Sequence, residues 1–187
     1  YVMRRHSAGA LGHIYGVAPE VTAKAGEYFR EQLRHVEVAL DDGRTFLMGD
    51  QFTSGEHAMD EAQITSFAAQ FDPQPFHLDE DAAKASLFGG LCASGWHTCA
   101  MAMRLMVTNF LHETSSLGSP GLEGIKWLKP VFPGDTLRLQ HSIVETKPMG
   151  KRPDVGLVHT IWEMFNQNGD KVLHRDGWGM FRRRTPL

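Results

Sequence analysis

From Trp96 to about Phe110 the chain carries a helical pattern that is apolar around much of its circumference. Cys99, Met103, Met106, Val107 and Phe110 form one stripe, which Ala100, Ala102 and Leu105 widen. A helix this apolar is normally buried, so it needs cover. The cover follows in the chain, because beyond Pro120 the period switches to that of strands. Leu122 to Lys129 reads as one strand, and Val131-Phe132-Pro133-Gly134-Asp135 reads as a turn. Thr136 to Thr146 alternates, with Leu137, Leu139, His141 and Ile143 against Arg138, Gln140 and Ser142. Val155–Phe165 and Lys171–Arg182 read as two more strands, and Asn168-Gly169 between them is a strong hairpin signal. Strands following helices predict an α+β fold, a long antiparallel sheet wrapped around a buried central helix.

The elements upstream are shorter. Residues 1–20 lack clear periodicity and read as an irregular arm, while Val21, Ala25, Phe29, Leu33 and Val36 predict a helix to about Leu40. Asp41-Asp42-Gly43 marks a turn, and Thr45-Phe46-Leu47-Met48 starts a strand that continues through Phe52. Asp60-Glu61-Ala62-Gln63 reads as a capping box. It opens an amphipathic helix with Ile64, Phe67, Ala68 and Phe71 on one face. Asp79 suits the cap of a short helix through Ala85, and Ser94 suits the cap of the central one.

Composition excludes several classes of function. The 187 residues fit one domain with a substantial core, and a net charge of -3 offers no attraction to nucleic acid or an anionic membrane. No apolar run reaches the length of about 18 residues that reads as a membrane span. No apolar stretch follows Arg4-Arg5, so no secretory signal is expected. Cys92 and Cys99 are seven residues apart, which predicts two small hydrophobes on one helix face. A disulfide framework is not expected, and a cytoplasmic location is.

The chemistry concentrates in Phe71-Asp72-Pro73-Gln74-Pro75-Phe76-His77. Each proline fixes its own φ and pushes the residue before it out of the helical region. A carboxylate and an imidazole are thus held on stiff backbone, as a pair handling one water or one proton requires. His57, His77, His97, His112, His141, His159 and His174 lack the spacing of a metal site, so no metal is expected. Ser94 has no G-x-S-x-G surroundings and reads as a cap rather than a nucleophile. Gly89-Gly90 lacks the context of a dinucleotide site. Lys126, Lys129, Lys147, Lys151 and Arg152 are candidates for a phosphate-bearing ligand or plain solvated surface.

Three motifs in order carry a resemblance. Asp72-Pro73-Gln74-Pro75-Phe76-His77 is similar to the D-x-N-P-x-H signature of the MaoC-like dehydratases, with Gln74 in place of Asn. Phe88-Gly89 and Ser94-Gly95 resemble the small-residue turn that opens that family's central helix. Pro130-Val131-Phe132-Pro133-Gly134-Asp135-Thr136 resembles its P-V-x-x-G-D-T stretch. The resemblance implies a hotdog domain over residues 39–187, with the arm and helix at 1–38 outside it.

By resemblance to the R-specific enoyl-CoA hydratases in that family, the activity would be reversible hydration of trans-2-enoyl-CoA to (3R)-3-hydroxyacyl-CoA. Asp72 and His77 would hold the water, and the Gly95 backbone N–H would stabilise the oxyanion. Gln74, Ser94 and Trp96 would border the substrate. An apolar tunnel should raise the Asp72 pKa, and which of the pair takes the proton stays open. No cofactor is implied. The implied partners are acyl-CoA or an acyl-carrier protein, and a second copy in a homodimer. A hotdog thioesterase and a noncatalytic acyl-thioester-binding module are the alternatives.

Overall fold

The computed structural model describes residues 49–184. The arm and helix read at 1–38, and the strand start at Thr45–Met48, lie outside these residues.

Strand β1 (Gln51–Ala58) leads into helix α1 (Glu61–Phe71). The Asp60 carboxylate accepts from the Gln63 N–H at 2.7 Å, the cap read from the sequence, typically worth about 1 kcal/mol. Ile64 and Ala68 are the buried residues of α1. Helix α2 (Pro75–Leu78) is a single turn where the sequence pointed only to a rigid loop. Pro75 heads it, and a proline at the first helical position forfeits only an N–H that has no acceptor there. Helix α3 (Glu80–Lys84) starts as expected, with Asp79 accepting from the Ala82 N–H at 2.8 Å.

Ser94 caps the central helix, α4 (Gly95–Asn109). Because the helix begins only after Ser94, Cys92 lies in the preceding loop, and the expectation of two cysteines on one helical face fails. The buried face of α4 carries His97, Thr98, Ala102, Leu105 and Met106. Met103 (48% exposed) and Val107 (42%), both in the apolar stripe read from the sequence, are not among the buried residues. One helix on one sheet can cover only one side, and no described element lies over the other.

Strands β2 (Ser116–Trp127), β3 (Thr136–Met149), β4 (Arg152–Phe165) and β5 (Lys171–Arg182) complete an antiparallel sheet in the order β1-β3-β4-β5-β2. β2 starts six residues before the expected Leu122. Its irregular register against β5 across Ser116–Gly124 hides it from a period-two reading, and its edge position tolerates Pro120. The alternation read in β3 places Leu137, Leu139, His141 and Ile143 in the interior.

Two turns tie the strands. In the first, Gly134 takes φ +90° and the Phe132 N–H donates to the buried Asp135 carboxylate at 2.8 Å. In the second, Asn166 Oδ1 accepts from the Asn168 and Asp170 N–H groups, and Gly169 takes φ +80°. Among the described residues no helix is long and apolar enough to cross a membrane.

Candidate active site

The start of α4 meets the end of α1 through one side chain. Ser94 Oγ accepts from the Trp96 N–H at 3.2 Å and donates to Asp72 Oδ2 at 2.6 Å. Asp72 is the C-cap of α1, its N–H bound to the Ala68 carbonyl. Its Oδ1 accepts from Gln74 Nε2 at 2.8 Å. Gln74 therefore orients the carboxylate from the exposed side.

His77 is 5% exposed and packs edge-on against Phe76, with centroids 4.6 Å apart. Its Nδ1 lies 2.7 Å from the Cys92 carbonyl oxygen. A carbonyl only accepts, so Nδ1 carries the proton and, in the neutral ring, Nε2 is the acceptor. Nε2 faces Asp72 Oδ2 at 3.6 Å. The Cys92 carbonyl was not among the residues singled out from the sequence, and a backbone acceptor leaves no compositional trace.

The electrostatics reverse one expectation. The Ser94 hydrogen bond holds the Asp72 carboxyl below its ordinary pKa, helped by Gln74 and His77 and opposed by partial burial. A tunnel that raised it would have required the carboxylate to lie without donors.

At the helix start, Gly95 lies under the Trp127 indole, whose Nε1–H donates to the Gly95 carbonyl at 2.8 Å. A Cβ on Gly95 would sit 2.6 Å from Trp127 Nε1, so only glycine fits. The first N–H groups of a helix have no acceptor within it and carry its positive end. Trp96 is 57% exposed and packs edge-on against Trp127. His97 turns inward instead, stacked on Phe67 with centroids 4.5 Å apart, and burial lowers its pKa. Of the candidate phosphate-binding cations, Lys129 pairs with Asp170, Arg152 with Asp154, and Lys147 lies over the Trp178 ring. Among the described residues no group of three or more His, Cys, Asp or Glu could hold a metal ion.

Comparison with known proteins identifies the family. The MaoC like domain profile matches residues 45–161. The crystal structure of a MaoC-like dehydratase from Rhodospirillum rubrum is 43% identical, with a TM-score of 0.70 over 76% of this chain and 96% of that one. The uncharacterized protein YdeM of Bacillus subtilis is 28% identical over 128 residues, 68% of this chain and 89% of its own length. A mesaconyl-CoA hydratase of Cereibacter sphaeroides is 41% identical over 59 residues, 32% of this chain and 17% of that one. The α+β architecture is the hotdog fold of these structural neighbours.

Proposed function

The chain belongs to the MaoC-like domain family, and from that premise we propose that it is a hydro-lyase that reversibly hydrates trans-2-enoyl thioesters to (3R)-3-hydroxyacyl thioesters. The observation that carries this is the 3.6 Å gap between Asp72 Oδ2 and His77 Nε2. Both atoms accept hydrogen bonds, so one water can donate to each at an ordinary distance of about 2.8 Å. Its oxygen lone pair is then left to face the substrate.

As that oxygen bonds to C3, the water's proton passes to His77 Nε2. Hydrogen bonds from Ser94 and Gln74 weaken Asp72 as a base, so it stays ionised and offsets the imidazolium charge. The alkene electrons move through the carbonyl onto the thioester oxygen, which becomes an enolate. The Gly95 N–H donates to that oxygen, a contribution typically of about 3–4 kcal/mol in the transition state. The imidazolium proton then goes to C2, the C–H bond closes and the ring is neutral again. Run backwards, the same steps remove water. Trp96 borders the thioester, and Gln74 keeps the carboxylate turned toward His77.

We also place a second copy of this chain over the open side of α4. Met103, Val107 and Trp96 are exposed there, and among the described residues β2 presents an unpaired edge.

Crotonyl-CoA tests the reaction. Loss of enoyl absorbance without release of free thiol is expected. Thiol release with the enoyl absorbance intact would mark a thioesterase, and binding without either change would mark a noncatalytic module.

A further inference from the structure

Beneath the second half of α4 lies a cavity of about 150 Å³, walled on one side by Met103, Met106, Phe110 and Ile143. The opposite wall holds a charge. Arg175, on β5, is 7% exposed, and its Nη1 donates to Thr160 Oγ1 at 2.9 Å. Its guanidinium lies over the Trp162 ring at 4.3 Å and occupies the space a side chain at position 177 would need. A Cβ on Gly177 would come within 3.0 Å of Arg175 Nη2.

Thr160 takes up one of five N–H donors. Among the described residues no carboxylate pairs with Arg175. Its neighbour Asp176 points to the other face of β5, where it binds His159. Asp176 acts on Arg175 from across the strand, but burial outweighs it and lowers the Arg175 pKa, so the buried cation is only partly balanced, which is costly.

The groups around it are donors as well. Among the described residues, the buried Trp162 Nε1–H has no partner. Neither ring nitrogen of His141 has one among them, although the residue is only 3% exposed. Burial, with Arg175 nearby, pushes the His141 pKa down to about 3, so the ring is neutral and offers one further N–H. All three side chains line the cavity.

Position along α4 relates the cavity to the thioester site. Met103 lies eight residues beyond Gly95, about 12 Å at 1.5 Å per residue. An acyl chain held at the Gly95 N–H and following the helix therefore runs toward Arg175.

We infer that Arg175, with Trp162 and His141, receives a carboxylate at the far end of the acyl chain, so that the preferred substrates are thioesters of dicarboxylic acids. This rests on the acyl-thioester reading of the site above. A methyl-ended chain would leave the guanidinium facing hydrocarbon. A carboxylate can take two of its N–H groups side by side.

The test uses saturated thioesters, which bind without turnover. The full chain is titrated calorimetrically with succinyl-, adipyl- and suberyl-CoA, each paired with butyryl-, hexanoyl- or octanoyl-CoA of equal length. At one length or more, the carboxylate-ended member should bind about tenfold tighter or better, as a charge-assisted bond implies. Arg175→Met should bring that ratio to about one and Arg175→Lys should keep part of it, with circular dichroism checking the fold of both. Equal or weaker binding of the carboxylate-ended member at every length by the wild type overturns the inference, even if neither variant folds. So does a preference that survives in Arg175→Met. Failure of the hydratase reading alone shows separately, as an unchanged trans-2-enoyl form of the carboxylate-ended thioester that binds best, with the binding preference intact. Absence of binding by every thioester removes both.

Discussion

Ser94 and Asp72 share a 2.6 Å hydrogen bond, and the same hydroxyl caps α4 through the Trp96 N–H. One side chain thus couples the ionisation of the carboxylate to the placement of the helix terminus. The water-holding pair and the oxyanion donor are set relative to each other by a contact that belongs to both.

The pair itself is the first thing to remove. Asp72→Asn and His77→Ala should each lower crotonyl-CoA hydration by about 10²–10⁴-fold, the usual contribution of acid–base groups. Loss of enoyl absorbance, followed alongside circular dichroism, checks this. Both variants within about tenfold of wild type would sink the assignment.

Ser94→Ala should change how stability depends on pH. The fold lowers the Asp72 pKa, so the carboxylate contributes stability above its ordinary range and loses it as pH falls through the lowered value. Without the Ser94 donor that pKa moves back up. The loss in denaturant unfolding, about 1 kcal/mol from the cap alone, should therefore be larger at neutral pH than in acid, where Asp72 is protonated in both proteins. A loss equal at both pH values would show that Ser94 does not hold the carboxylate.

Gly95→Ala probes the helix start. Alanine favours helix over glycine, so local propensity alone predicts a gain. The 2.6 Å approach of Trp127 Nε1 predicts the opposite, a loss of about 1–3 kcal/mol in thermal unfolding from overpacking. Activity should fall at least as steeply, because the displaced group is the proposed oxyanion donor.

Val107→Asp places charge on the open side of α4. Analytical ultracentrifugation should show the wild type as a dimer and the variant shifted to monomer, with unchanged far-ultraviolet circular dichroism. A wild type that sediments as a monomer at micromolar concentration would refute the proposed second copy.

Most elements were legible because local rules govern them. Asp60, Asp79 and Ser94 are caps that act within three residues, and Asn168-Gly169 is a turn that acts within four. The alternation of Leu137, Leu139, His141 and Ile143 needs only the pleat of a strand. α2 is not legible, because a proline after Gln74 reads equally as a loop and as a helix start. The first six residues of β2 are not legible either, because their irregular pairing with β5 erases the period.

The candidate site divides the same way. Asp72, His77 and Gly95 stand out in the sequence as a stiff acid–base pair and a helix start, since prolines and caps impose their geometry over a few residues. Which way the Asp72 pKa moves depends on Ser94, 22 residues away. The tautomer of His77 depends on the Cys92 carbonyl, 15 residues away. The face α4 buries depends on a sheet assembled later in the chain, and nothing in the pattern around Arg175 marks it as a charge turned inward. Caps, turns and strand alternation are written along the chain and set most of its elements. Hydrogen bonding and burial between distant segments follow from packing, because protonation and solvation respond to neighbours in space rather than along the chain.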